Sequence, residues 1–155
     1  MIQRIQSIYL LLTTVLSFLF LNGSFLNFND NAGLAITFTF KGIEKISSGQ
    51  GSDLIQKSWP FAIVLTLTAL IALTTIFLYK NRTLQLLMAK ILIGLVLFII
   101  LITVYYTFDV ISNFGGTIVP GVKMFLPVIM LALSILAFRG IRKDDQLVKS
   151  YDRLR

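Results

Sequence analysis

WPFAIVLTLTALIALTTIFL, Trp59 to Leu78, runs from the chain's only tryptophan to a leucine without one charged side chain. A helix over this stretch is about 30 Å long, the thickness of a bilayer's hydrocarbon core. Its reading decides the class of the protein, because a water-soluble helix of that length carries charge on its solvent face. Composition agrees: 56% of the 155 residues are apolar and mean hydropathy is +0.85, against about 45–50% apolar in ordinary globular domains.

Outward from this stretch, three more of the same kind appear. IQSIYLLLTTVLSFLFL, Ile5 to Leu21, is apolar apart from small hydroxyls and Gln6. LLMAKILIGLVLFIILITVYY, Leu86 to Tyr106, holds only Lys90, and PGVKMFLPVIMLALSILAF, Pro120 to Phe138, carries Lys123 and Pro127 near its start. The first could be a signal peptide, but LNGSFLNF after it is a poor cleavage site, so an uncleaved helix is expected. In the fourth, Pro127 either leaves the Lys123 carbonyl without its helical partner or sits in the first turn of a shorter helix. The expectation is an all-α membrane protein with four transmembrane helices, at about 5–21, 59–78, 86–106 and 120–138, forming a bundle.

Charge sets the orientation, since lysine and arginine accumulate in cytoplasmic loops. Arg4, Lys80, Arg82, Lys90, Arg139, Arg142, Lys143, Lys149, Arg153 and Arg155 make ten on one side. Only Lys41, Lys45, Lys57 and Lys123 fall on the other, among Asp30, Glu44, Asp53 and Asp109. Both termini are therefore expected in the cytoplasm, with Trp59, Tyr105 and Tyr106 at the outer interface.

The loop from residue 22 to 58 is long enough for structure. In GLAITFTFKGIEKI, Ile36, Phe38 and Phe40 alternate with Thr37 and Thr39, the period of a half-buried strand. FLNFN with the following DNAG supplies a second arm, giving a small extracytoplasmic β-hairpin between helices 1 and 2. SSGQGSD, Ser47 to Asp53, reads as a flexible connection, and DVISNFGGTIVPG between helices 3 and 4 as a turn with no site.

The chemistry available is narrow. With neither cysteine nor histidine, disulfides, thiolate sites and the commonest general base and metal ligand are excluded. No Asp or Glu lies in the expected spans, which argues against a carboxylate ion path. Lys90 could meet an anionic substrate or a headgroup, although snorkelling to the interface is the favoured account. Ser17 and Ser134 lack a base, so an intramembrane hydrolase is not expected. The threonines of the spans, and the stripe Ala62, Thr66 and Ala69, read as packing features. No catalytic residue, cofactor or metal is expected.

The last stretch, RGIRKDDQLVKSYDRLR from Arg139 to Arg155, is a basic amphipathic tail. Drawn as a helix it gathers Leu147, Val148, Tyr151 and Leu154 on one side, opposite Arg142, Lys149 and Arg153. Its interspersed acids argue against nucleic acid and for anionic headgroups or a protein partner.

Three patches, MIQRIQSIYLLL at the start, NRTLQ at Asn81 to Gln85, and this closing stretch, together resemble the small integral-membrane family of Bacteroidota known as domain of unknown function 4293. The resemblance implies a four-helix protein of the bacterial inner membrane and implies no activity. It places Arg4, Asn81, Arg82, Gln85, Arg142, Lys143, Asp144, Asp152 and Arg153 in the recognisable patches. With Lys90, these are the candidate contacts to partner or lipid. The functional expectation is a non-enzymatic accessory or assembly subunit of a larger membrane complex. The alternative is a small carrier or lipid-binding protein.

Overall fold

A computed structural model describes residues 5–24, 26–29, 35–39, 41–47, 50–114, 117–119 and 121–153. It is mostly helical, with four helices and a small β-sheet at one end. Helix α1 is Ile5–Leu21, α2 Trp59–Phe77, α3 Arg82–Phe114 and α4 Leu126–Arg153. Three of them, α2, α3 and α4, are long and apolar enough to cross a membrane, and α1 is a shorter apolar helix. Each helix packs beside two others: α1 against α2 and α4, and α3 against the same pair.

The side-chain pattern is inverted relative to a protein in water. Buried positions include Thr13, Thr14, Ser17, Thr68, Thr75 and Ser134, whereas Leu11, Phe18, Ile63, Leu70, Phe98, Leu101 and Val128 face outward. Small hydroxyl-bearing residues let helix axes approach closely, and large apolar side chains on the outside suit a hydrocarbon solvent. The hydroxyls pair within their own helices: Thr14 donates to the Leu10 carbonyl at 2.9 Å, Thr68 to Val64 at 2.7 Å and Ser134 to Met130 at 2.7 Å.

On α3 the buried residues Gln85, Ala89, Leu92, Val96, Ile99, Tyr106 and Val110 follow alternating steps of three and four, with Thr103 half-buried between them. That is the seam spacing of left-handed helix packing. The stripe expected on α2 is shifted. Thr66 is exposed and Ala62 only half-buried, while Ala69 and Ala72 make the close approach.

Several boundaries differ from the sequence reading. Helix α3 extends beyond 86–106 at both ends, because Gln85 and Val110 carry its buried seam past the apolar run. Helix α4 begins at Leu126, so Pro127 lies in its first turn, where a missing N–H costs nothing. A 3₁₀ turn, Val122–Phe125, precedes it, and the Lys123 carbonyl accepts from the Leu126 N–H. The tail is no separate segment, since α4 runs without a break through Arg139 to Arg153. Its inward face also differs from the drawn one: Ile141 and Asp145 are buried, whereas Leu147 and Val148 are exposed.

The hairpin is part of a larger sheet. Strands β1 (Leu26–Asn29), β2 (Ala35–Phe38), β3 (Gly42–Ser47), β4 (Gln50–Lys57) and β5 (Thr117–Val119) lie in the order β4-β3-β2-β1-β5, every neighbour antiparallel. GLAITFTFKGIEKI is thus two strands, broken where Thr39 and Gly42 exchange backbone hydrogen bonds. The stretch expected to be a flexible connection supplies the first residues of β4, and the turn between helices 3 and 4 supplies β5. Phe40 and the DNAG segment lie outside the described residues.

Leu26, Phe28, Ile36, Phe38 and Ile43 form the buried face of the sheet and share one core with Phe20, Phe61, Ile99 and Tyr106 of the helices. Phe38 sits at its centre, 5.3 Å from Phe61 and 5.0 Å from Tyr106 between ring centroids. Tyr106 is therefore a core residue, and Tyr105 beside it is exposed. A two-stranded hairpin is marginal alone, and five strands on an apolar platform remove that weakness.

Candidate functional site

At the end of the helices away from the sheet, the packed seams close with polar residues instead of apolar ones. Gln6 of α1, Gln85 of α3 and Asp145 of α4 are all buried there. They cap an apolar layer of Leu10, Ala72, Ala89, Leu92, Ala137 and Ile141.

Three elements meet at Asp144. The Gln6 Nε2 donates to its Oδ2 at 3.2 Å, and the Arg82 Nη1 lies 3.4 Å from the same oxygen. Asp144 and Arg82 are 33% and 20% exposed, so this ion pair is neither fully hydrated nor fully buried. The backbone makes room for it at Gly140, where a Cβ would lie 3.2 Å from the Gln6 Cβ and 3.3 Å from its Oε1. One turn later on the same helix, Asp144 receives the amide that Gly140 lets in.

Gln85 serves a second junction. The last carbonyls of a helix have no intrahelical donor, and Thr75 lies in the last turn of α2. Gln85 Nε2 donates to the Thr75 carbonyl at 3.2 Å, joining α3 to the end of α2. Among the described residues, Gln85 Oε1 and Arg82 Nη1 are buried without a hydrogen-bond partner. The Arg82–Asp144 attraction is thus ionic, off the line of a hydrogen bond.

The expected contacts divide into three groups. Arg82, Gln85 and Asp144 come together in this cluster. Asn81, Lys90, Arg142 and Lys143 are exposed, with the Asn81 carbonyl accepting the Gln85 N–H at 3.0 Å. Arg4 lies outside the described residues. Asp152 and Arg153 are on the final turn of α4, with side chains also outside them.

The sequence reading passed over Gln6 and Asp145 as site residues. Their signal is a polar residue in line with a seam of small and apolar ones, visible only once the seam itself is known.

The arrangement holds three helices together at this end. Ser17 and Ser134 are fully buried, and each hydroxyl is donated to a carbonyl four residues earlier in its own helix. Lys90 is exposed on α3. No group of three or more Asp, Glu, His or Cys side chains that could hold a metal ion occurs among the described residues.

Two cavities lie nearer the sheet. One, of about 300 Å³, runs between α3 and α4 and is walled by Thr103, Thr107, Phe108, Met124, Pro127 and Val128, among others. The other, of about 280 Å³, is lined by Lys41, Leu54, Lys57, Trp59 and Ala62.

No curated protein and no solved structure matches the chain. Its sequence does match a family pattern from residue 2 to residue 154, nearly end to end, and on that match the chain belongs to the family described as Domain of unknown function (DUF4293).

Proposed function

We propose that this protein is a non-enzymatic accessory or assembly subunit of a larger bacterial inner-membrane complex. It crosses the membrane four times, with both termini in the cytoplasm, and docks its partner on the cytoplasmic continuation of α4. The observation that carries this reading is the cluster at Asp144. It ties that continuation to α1 and α3 while Arg142, Lys143, Leu147 and Val148 remain exposed on the same helix. A fixed helix that shows both cations and apolar side chains is a docking element of the helix-in-groove kind.

Helix α1, with 17 residues, is about 25 Å long. It fits a span between two longer neighbours because a short mismatch is met by local thinning of the bilayer or by snorkelling flanks. The ten-to-four charge bias supports the orientation.

The test is gentle extraction of native membranes followed by identification of the proteins that travel with the chain. Arg142→Glu combined with Lys143→Glu should deplete a specific partner at least fivefold while the chain itself remains in the membrane. An unchanged set of co-purifying proteins would remove the docking assignment. A second reading, a small carrier or lipid-binding protein, is favoured by one observation, the apolar cavity between α3 and α4.

A further inference from the structure

We propose that the cleft between the sheet and the start of α2 binds an anionic phospholipid, its phosphate between Lys41 and Lys57 and its upper acyl chain against Leu54, Trp59 and Ala62. The site rests on the four-span reading above, and it lies at the opposite end of the helices from the docking surface.

The backbone builds the cleft. Gly42 pairs across the sheet with Lys57, and its φ of +152° is one that side chains rarely adopt. A Cβ there would stand 2.0 Å from the Gln56 carbonyl oxygen, so only glycine lets the two strands meet this closely. The Ser58 N–H then donates to the Lys41 carbonyl at 3.2 Å. These contacts set Lys41 and Lys57 on adjacent rungs at the same end of the strand pair, both lining the cleft, where Trp59 opens α2 two residues after Lys57. Ala62 follows about one turn further along.

The lining has the chemistry of a lipid's two halves. Lys41 and Lys57 are exposed cations, and Leu54 and Trp59 are 49% and 67% exposed apolar surface within the same cleft. A small anion in water would need the lysines and not the apolar wall. Below Ala62, the outward side chains Ile63, Leu67 and Leu70 continue the apolar surface down α2. An acyl chain entering the cleft therefore has a path along the helix into the bilayer. Tryptophan at the headgroup level completes the setting.

Because Trp59 is the only tryptophan, its fluorescence reports the lipid beside α2. The full chain is placed in phosphatidylcholine vesicles holding a minor fraction of phosphatidylglycerol, and either lipid carries brominated acyl chains as quencher. Phosphatidylglycerol should quench well beyond its mole fraction, by about fivefold local enrichment for each lysine. Lys41→Gln and Lys57→Gln should each reduce the enrichment about fivefold, whereas Arg139→Gln, an exposed cation of α4, should leave it unchanged.

Quenching that follows mole fraction for both headgroups would overturn the site, as would full enrichment in the Lys41→Gln/Lys57→Gln double variant. Loss of enrichment on adding inorganic phosphate would reassign the cleft to a free anion and overturn the lipid assignment. If neither brominated lipid quenches Trp59, the spanning reading of α2 fails, and the site fails with it. That outcome is distinct from equal quenching by both lipids.

Discussion

Replacing Asp144 with alanine removes a carboxylate that joins α1, α3 and α4. The Gln6 amide loses a charged acceptor at 3.2 Å, and a hydrogen bond to a charged group contributes about 1.5–3 kcal/mol. The ion pair with Arg82 adds less than about 1 kcal/mol, because a third of the Asp144 side chain is in water. Together these give an expected loss of about 1.5–4 kcal/mol. Asp144→Asn keeps an acceptor for Gln6 without its charge and should lose the ion pair and part of the hydrogen bond, about 1–2 kcal/mol.

Reversible unfolding of the purified chain in mixed micelles, followed by far-ultraviolet circular dichroism, measures both variants. The decisive quantity is the coupling between Gln6→Ala and Asp144→Ala, expected at about 1 kcal/mol because the two side chains touch. Zero coupling, or an Asp144→Ala variant within about 0.5 kcal/mol of the parent, would refute the claim that this carboxylate fastens the three helices.

Two further predictions concern glycines in different settings. Gly140→Ala should destabilise by about 1 kcal/mol, since its Cβ would press on Gln6 at 3.2 Å, and Gly94→Ala should stabilise by about 0.5 kcal/mol because nothing lies within 4 Å of the added carbon. The same unfolding assay ranks the pair, and equal effects would count against the close α1–α4 approach. Gly42→Ala should cost about 3 kcal/mol or more through backbone strain and overlap with Gln56. Trypsin should then cut after Lys41, Lys45 or Lys57 faster than in the parent chain, with helix content unchanged.

The helices were legible because uncharged runs of the required length have few alternative readings. Helix α1 ends at Leu21 and α2 at Phe77, where the apolar runs end. The ends of α3 and α4 were not legible in the same way. Hydropathy marks where lipid stops, and a helix continues past that point wherever its polar residues keep packing, as Arg82 and Asp144 do.

The sheet was only half legible. Alternation revealed the buried faces at Ile36 and Phe38, but the break at Thr39–Gly42 depends on one glycine with positive φ. Strand β5 has three residues, and pairing with a segment far away in sequence is what makes it a strand. Of the candidate contacts, Arg82, Gln85 and Asp144 come together in space. Gln6, which completes the cluster, is a lone amide in an apolar run, and only the packed seam reveals its partner.

Strand β5 also bears on how the protein is made. Its Thr117 hydroxyl reaches the Asn29 carbonyl at 3.5 Å, a partner synthesised 88 residues earlier. At a ribosomal rate of about 5–20 residues per second, β1 waits roughly 4–18 s for that neighbour. During that interval one edge of the sheet stands open while α3 is still being made. The last strand thus acts as a completion mark: the edge closes only after the third helix has delivered the segment that follows it.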